Sequence, residues 1–253
     1  MTLTALKSSL FTNNMTPYIP YMAYPTYLVG GAVRDKLLGI PCKDLDYVML
    51  APSFIAMRDA LLKSGCKIFV EKPEYLTIRA NHPQLGCVDF ACARTDGTYT
   101  DGRRPDSTEI TTDIELDLSR RDFTCNAIAE DVVTGRIIDP FDGQFAIKQK
   151  ILMAVGNAER RLSEDKLRAF RALRFTVTRS FIMDYPLIQA IRNLALPSEF
   201  DSVSTERIRE ELNKMFQRDW LFSMHQLTQF GTLTQVIRNR GIWFKPTTEN
   251  VSA

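Results

Sequence analysis

The stretch from Tyr27 to Leu50 constrains the chain more than any other. Tyr27-Leu28-Val29 is apolar and β-prone, and it runs directly into Gly30-Gly31 and then Ala32 to Leu38, where Val33, Leu37 and Leu38 recur at helical spacing. That order predicts strand, tight turn, helix. Gly39 is placed to end the helix and Pro41 prevents its continuation, after which Asp44 to Leu50 reads as a second strand. A turn without Cβ atoms lets backbone N–H groups approach a phosphate while the helix N-terminus adds a favourable field. Gly30 and Gly31 are therefore candidate phosphate-binding residues, and Arg34, one turn on, is placed to hold the same triphosphate. Asp44 and Asp46 are two apart on the expected strand, so both carboxylates leave one face and can bind the same cations. Such a pair suits Mg²⁺, a hard ion that takes a few carboxylate oxygens and completes its shell with water and substrate phosphates. Gly-Gly alone is commonly just a turn and Asp-x-Asp alone is common on surfaces; their closeness is what favours a ligand site.

The rest of the chain divides by pattern. A helix is expected around Ser53 to Ser64, ending at Gly65, followed by strands at Lys67–Val70, Tyr75–Arg79 and Cys87–Ala93. Residues Arg94 to Thr112 are crowded with Gly, Asp, Thr, Arg and Pro and lack apolar periodicity, which predicts a mobile loop. Beyond Ile151 the periodicity is helical, near 157–179, 184–195, 205–217 and 219–230. The organisation expected is a lead over 1–26, a mixed α/β part over 27–150 and a helical part over 151–253, frayed from Pro246 to Ala253.

Composition narrows the chemistry. With 253 residues, 45% hydrophobic and 25% charged, the chain can bury a sizeable core and is not a disordered, collagenous or membrane-spanning sequence. The lead from Met1 to Tyr24 carries only Lys7 as charge and has no compact apolar or Arg-rich amphipathic segment, so a cytoplasmic protein is expected. Five cysteines without a close pair read as reduced packing residues. Only His82 and His225 are available, neither with a catalytic assignment, so chemistry must rest on carboxylates and arginines. Residues 1–150 carry 17 Lys+Arg against 19 Asp+Glu and residues 151–253 carry 15 against 11. This asymmetry is a weak pointer to polyanion binding by the second part, and chance scatter explains it as well.

The run Tyr27-Leu-Val-Gly-Gly-Ala-Val-Arg-Asp-Lys-Leu-Leu-Gly-Ile-Pro-Cys-Lys-Asp-Leu-Asp46 resembles the signature of the bacterial-type (class II) tRNA nucleotidyltransferase, or CCA-adding enzyme, and poly(A) polymerase family. Four further motifs follow in family order. Asp117-Leu-Ser-Arg-Arg-Asp-Phe-Thr-Cys-Asn-Ala-Ile-Ala129 is similar to the ribose-recognition motif and Asp131 to Pro140 to the hinge motif. Glu164-Asp-Lys-Leu-Arg-Ala-Phe-Arg-Ala-Leu-Arg-Phe175 is similar to the base-selecting motif, and Thr205-Glu-Arg-Ile-Arg-Glu-Glu-Leu212 to its support. The resemblance implies an α+β fold, a polymerase β-like nucleotidyltransferase head followed by an all-helical neck. It implies CTP and ATP as substrates, the 3′ end of tRNA or another RNA as acceptor, and two Mg²⁺ ions on Asp44 and Asp46. Arg121 and Asp122 are carried over as nucleotide contacts, with Arg120 read as structural.

On the expected helix, Leu167, Phe170, Leu173 and Val177 form an apolar stripe, while Asp165 and Arg168 point elsewhere, within about 60° of each other. A carboxylate beside a guanidinium can accept from adenine N6 or cytosine N4 and donate to a ring acceptor, an order that guanine and uracil invert. The same pair also reads as a surface i,i+3 ion pair. Arg171 and Arg174 border the stripe, contacting nucleotide as the resemblance implies or anchoring Glu164, Glu206 or Glu210. Asp89 is expected on a strand beside Asp44 and is a candidate third carboxylate. Arg94, Tyr99 and Pro105 sit at family-like places in the loop, whose presence argues against a purely A-adding form.

The implied reaction is attack of an RNA 3′-hydroxyl on the α-phosphorus of CTP or ATP. The absence of a Gly-Arg-Arg-Phe-like basic stretch where Lys67-Ile-Phe-Val70 stands favours tRNA end repair over a poly(A) polymerase acting on general RNA. Only about 37 residues follow the region of resemblance, which runs from 27 to about 216, so RNA grip would come from an abbreviated body or from a homodimer. A non-catalytic RNA-binding or nucleotide-binding module of the same fold is the rival from another class.

Overall fold

Alternation of period two organises the first half of the molecule. The computed structural model describes residues 22–242 apart from Lys43, Asp101, Arg103 and Arg104; the readings of the lead up to residue 21 and of the end from Pro246 lie outside the described residues. Strands β1 (Thr26–Val29), β2 (Asp46–Met49), β3 (Lys67–Lys72), β4 (Thr77–His82) and β5 (Gly86–Cys92) join β8 (Ala129–Asp131) and β9 (Ile137–Ile138) in one mixed sheet of order β3-β4-β5-β2-β1-β8-β9. The pair β2 and β5 is parallel and the other neighbours are antiparallel. Tyr47, Met49, Ile78, Ala80, Phe90 and Cys92 alternate onto one face and share an apolar cluster with Val33 of α1 (Gly31–Leu37) and Met57 and Leu61 of α2 (Phe54–Lys63). The larger of these, Met49, Ile78, Phe90, Val33, Met57 and Leu61, each contribute about 1.5–3 kcal/mol by leaving water. On the opposite face Tyr27, Val29 and Val48 pack with Leu118 of α3 (Ile114–Ser119), Ala127 and Val155. The part of that face carrying Asp46, Asp89 and Arg79 lines an open depression.

Helices follow: α5 (Ala158–Glu164), α6 (Leu167–Arg179), α7 (Tyr185–Arg192), α8 (Thr205–Arg218) and α9 (Trp220–Thr228) fall where helical spacing was read, while α4 (Gly143–Gln149) and α10 (Gly231–Asn239) were not expected. Local caps set several starts: the side chains of Ser53, Asp113, Asn157, Asp184 and Asp219 accept from backbone N–H groups of α2, α3, α5, α7 and α9. The second half is not purely helical, because β10 (Ile151–Leu152) and β11 (Ile182–Met183) pair in parallel. The apolar cluster under the sheet continues through Phe123, Ile128 and Leu152 into Leu167, Phe170, Leu173, Leu187, Leu212 and Leu233, so packing shows no gap at residue 150.

Three expectations change. The helix expected over 157–179 is two, because Asp165 is extended (φ −148°) and its carboxylate accepts the Leu167 N–H at 3.0 Å, a side-chain bond that replaces the helical one. The loop expected over 94–112 contains a hairpin, β6 (Arg94–Asp96) against β7 (Thr108–Ile110). The second strand begins at Asp46, not Asp44.

Candidate active site

Gly30 is required twice over. Its φ of +66° and ψ of −127° suit only glycine, and a Cβ there would lie 2.9 Å from Nη1 of Arg121. Arg34 is not where the spacing placed it. It is 6% exposed; its Nε donates to Asp35 (2.8 Å), its Nη1 to Asn126 (2.5 Å), and its guanidinium lies 5.0 Å from the Phe175 ring centroid. A Cβ on Gly31 would stand 3.4 Å from its Nη2, so Arg34 braces the turn from behind and does not line the cleft. The reason is tertiary: Ala32 to Asp35 are all buried, and Asn126 and Phe175, distant in sequence, receive Arg34.

In front of the turn is a cleft of about 340 Å³ lined by Gly30, Gly31, Asp46, Arg120, Arg121, Asp122, Asn126, Asp165, Arg168, Arg171 and Arg207. The sheet, the turn and α6 thus bring most of the expected site residues to one place. Asp117, fully buried, accepts from Arg120 Nη2 (2.7 Å) and Arg121 Nη2 (3.0 Å). Burial pushes its carboxyl up, but the two guanidiniums outweigh that and hold it below the usual range. Asp122 Oδ1 accepts from Asn126 (2.9 Å) and Oδ2 from Arg171 Nε (2.8 Å) and Nη2 (2.5 Å). There too burial opposes ionisation, and Arg171, Asn126 and Arg168 overcome it and hold the carboxyl low.

Asp165 and Arg168 both line the cleft and both are tied down. Asp165 Oδ2 accepts from Arg207 Nη2 (2.8 Å), while Arg168 Nη1 donates to Glu164 Oε2 (2.7 Å) and Nη2 to the Arg120 carbonyl (3.1 Å). Because Asp165 lies outside the helix, the two residues reach the cleft from either side of the helix break and not from a shared helical face. Arg171 and Arg174 take an anchoring arrangement, with partners other than the three glutamates named: Asp122 for Arg171, and Glu211 of α8 for both. Arg174 is beside Glu211 and its guanidinium lies 4.3 Å from the Phe175 centroid; it does not line the cleft. Arg120, Asn126 and Arg207 line the cleft and were not singled out from the sequence as site residues. The only signal for Arg207 was its place in the supporting motif, three residues into α8.

Asp46 and Asp89 are in register on the parallel strands β2 and β5. Desolvation in the cleft and the neighbouring Asp89 carboxylate raise the Asp46 pKa above its ordinary value. Asp44 is exposed and precedes the strand. Asp89 gives both oxygens to Arg79, Oδ1 to Nε at 2.7 Å and Oδ2 to Nη2 at 2.6 Å. Among the described residues no three His, Cys, Asp or Glu side chains converge as a ready metal cage. The donor set is nonetheless all hard oxygen, and it fits a cation that takes one or two carboxylates and completes its shell with water and phosphate. His82 is buried, with a pKa lowered by burial, and His225 stacks on Phe222; neither lines the cleft. The five cysteines are free, three of them buried.

A CCA-adding enzyme from Geobacillus thermodenitrificans is 40% identical over 225 residues, 88% of this chain and 54% of the relative. The crystal structure of the Bacillus stearothermophilus CCA-adding enzyme in complex with CTP superposes with a TM-score of 0.70 at 31% identity, over 90% of this chain and 52% of that one. The Thermotoga maritima CCA-adding enzyme complexed with tRNA superposes with a TM-score of 0.67 at 26% identity, over 97% of this chain and 55% of that one. The chain spans about half the length of these relatives. The poly A polymerase head domain family matches residues 26–153, which contain the Gly-Gly turn, both strand carboxylates and the arginines around Asp117, and the chain belongs to that family.

Proposed function

We propose that this chain is a template-independent RNA nucleotidyltransferase that adds C, A or both from CTP and ATP to the 3′ end of tRNA, with residues 27–150 as catalytic head and 151–253 as neck. The observation that carries the reading is the single cleft in which the Gly30-Gly31 turn, Asp46, Arg121 and the Asp165/Arg168 pair meet. The likeness to CCA-adding enzymes solved with CTP and with tRNA supports it.

The RNA 3′-oxygen forms a bond to the α-phosphorus, the bond to the β-phosphate oxygen breaks, and pyrophosphate leaves. Gly30 and Gly31 admit the triphosphate against the backbone, and Arg121, held by Asp117, supplies positive charge beside it. Asp122 fixes Arg171 at the cleft wall, while Asp165 and Arg168 present acceptor and donor to the edge of cytosine or adenine. Arg34 acts from behind the turn, and Arg174 through Glu211 and Phe175. Asp46 and Asp44, with Asp89 alongside, would hold two Mg²⁺ ions, which when bound lower the hydroxyl pKa and stabilise attacking and leaving oxygens. Catalysis is then mainly positioning and charge stabilisation.

The test is incorporation with Mg²⁺, giving each nucleoside triphosphate singly and then CTP with ATP, on tRNA transcripts ending before CCA, after C and after CC, and on an unstructured RNA. Addition that depends on tRNA and stops at CCA supports the reading. Open-ended A addition to any RNA makes the chain a poly(A) polymerase, and no addition overturns both.

A further inference from the structure

Asp46, Asp89 and Arg79 form a row across three strands. Asp46 is in register with Asp89 on β2 and β5, and Asp89 with Arg79 on β5 and β4. Residues in register on neighbouring strands leave the same face of the sheet. All three line a second depression, of about 450 Å³, which shares Asp46, Arg120 and Arg121 with the nucleotide cleft. The guanidinium fork of Arg79 takes both oxygens of Asp89. This pair differs from the other ion pairs of the site in one respect. Its side chains are 57% and 40% exposed, whereas Asp117 and Asp122, held by Arg120 and Arg171, are 0% and 8% exposed. The buried pairs are fixed structure, because undoing them strands a charge away from water. An exposed pair is worth only a factor of about five or less in equilibrium, so another cation can displace it.

We propose that Arg79 is a displaceable guard on Asp89, occupying both carboxylate oxygens in the cation-free site and yielding them when a divalent cation binds beside them at Asp46. The proposal rests on the reading of Asp46 as a cation-holding residue. Arg79 is then a positioning residue: it touches neither nucleotide nor cation and acts through Asp89. Its bidentate grip keeps Asp89 from standing as a second bare carboxylate against Asp46. It also sets how much cation the free protein binds before a nucleotide arrives.

Direct Mn²⁺ titration of the full chain without nucleotide, reading free Mn²⁺ by electron paramagnetic resonance, tests this. Arg79→Ala is expected to bind Mn²⁺ about two- to fivefold more tightly than the native chain. Arg79→Lys, which keeps the charge but loses the fork, is expected to tighten binding as well. In an Asp89→Asn background the gain from Arg79→Ala should vanish. Unchanged affinity in Arg79→Ala, or an equal gain with and without the Asp89 carboxylate, overturns the guard while leaving the cation site intact. Unchanged Mn²⁺ binding in Asp46→Asn overturns the cation reading itself, and the guard with it.

Discussion

Replacing Gly30 by alanine separates what the turn does for folding from what it does for the cleft. Two costs add at this position. A side chain held at φ +66° and ψ −127° is in a region essentially reserved for glycine, which costs about 1–3 kcal/mol. The new Cβ would also stand 2.9 Å from Nη1 of Arg121, the far end of a flexible side chain, so the guanidinium shifts and the backbone stays. Gly39→Ala is the control: its φ is +69°, and a Cβ there meets nothing within 4 Å. Gly39→Ala should therefore cost about 1–2 kcal/mol in stability and leave incorporation alone. Gly30→Ala should cost somewhat more, about 2–3 kcal/mol, lowering Tm by roughly 4–12 °C at about 2–4 °C per kcal/mol. Its incorporation of CMP into tRNA should fall by about a hundredfold through misplacement of Arg121. Calorimetry and single-turnover incorporation on both variants measure the two effects. If Gly30→Ala incorporates like Gly39→Ala, the close approach of turn and Arg121 has no part in activity and the assignment of Arg121 to the triphosphate fails.

Other expected outcomes follow from the ion pairs. Glu211→Gln removes the charge of buried Glu211 that faces the part-buried Arg174 and Arg171 and should cost about 1.5–3 kcal/mol, read as a lower guanidinium chloride midpoint; a native midpoint would show that this charge does not hold the two guanidiniums. Asp46→Asn should abolish incorporation while leaving Tm near the native value, because the side chain is exposed at the cleft; retained incorporation would remove Asp46 from the reaction. Asp117 and Asp122 have folded pKa values below their unfolded ones, so their stabilisation is full above about pH 4 and is lost as pH falls below that toward the folded values. Denaturant unfolding repeated from pH 5 to pH 2 should show this loss, and Asp122→Asn should make the fall shallower.

The parts of the fold that were readable are those where one physical rule acts locally. The strand, Gly-Gly turn and helix from Tyr27 to Leu37 follow from alternation, the lack of Cβ and helical spacing, and the helices of the second half follow from their apolar stripes. Asp89 was read onto a strand beside the one carrying Asp44 and Asp46, and it is in register with Asp46. What escaped depends on partners distant in sequence. The side of α1 that faces the core decides that Arg34 goes behind the turn, and spacing alone says nothing of that. The strands β6 and β7 are too short for alternation to show. Asp165 looks like any helical residue until its carboxylate is seen to cap Leu167 and to take Arg207 from α8. The pairing of Arg79 with Asp89 is a matter of strand register, which composition does not encode.

The uninterrupted apolar cluster from the sheet into the helices has a consequence for how this molecule loses its structure. The family match stops at residue 153, but Phe123 and Ile128 before that point and Leu152, Leu167 and Phe170 around and after it belong to one cluster. Cutting there would bare both surfaces to water at once, so neither piece retains a closed interior of its own. Heat should therefore melt the sheet and the helices in a single calorimetric transition whose van't Hoff and calorimetric enthalpies agree. The head-domain match ends at residue 153, whereas the likeness to CCA-adding enzymes and the shared apolar interior both run on past it.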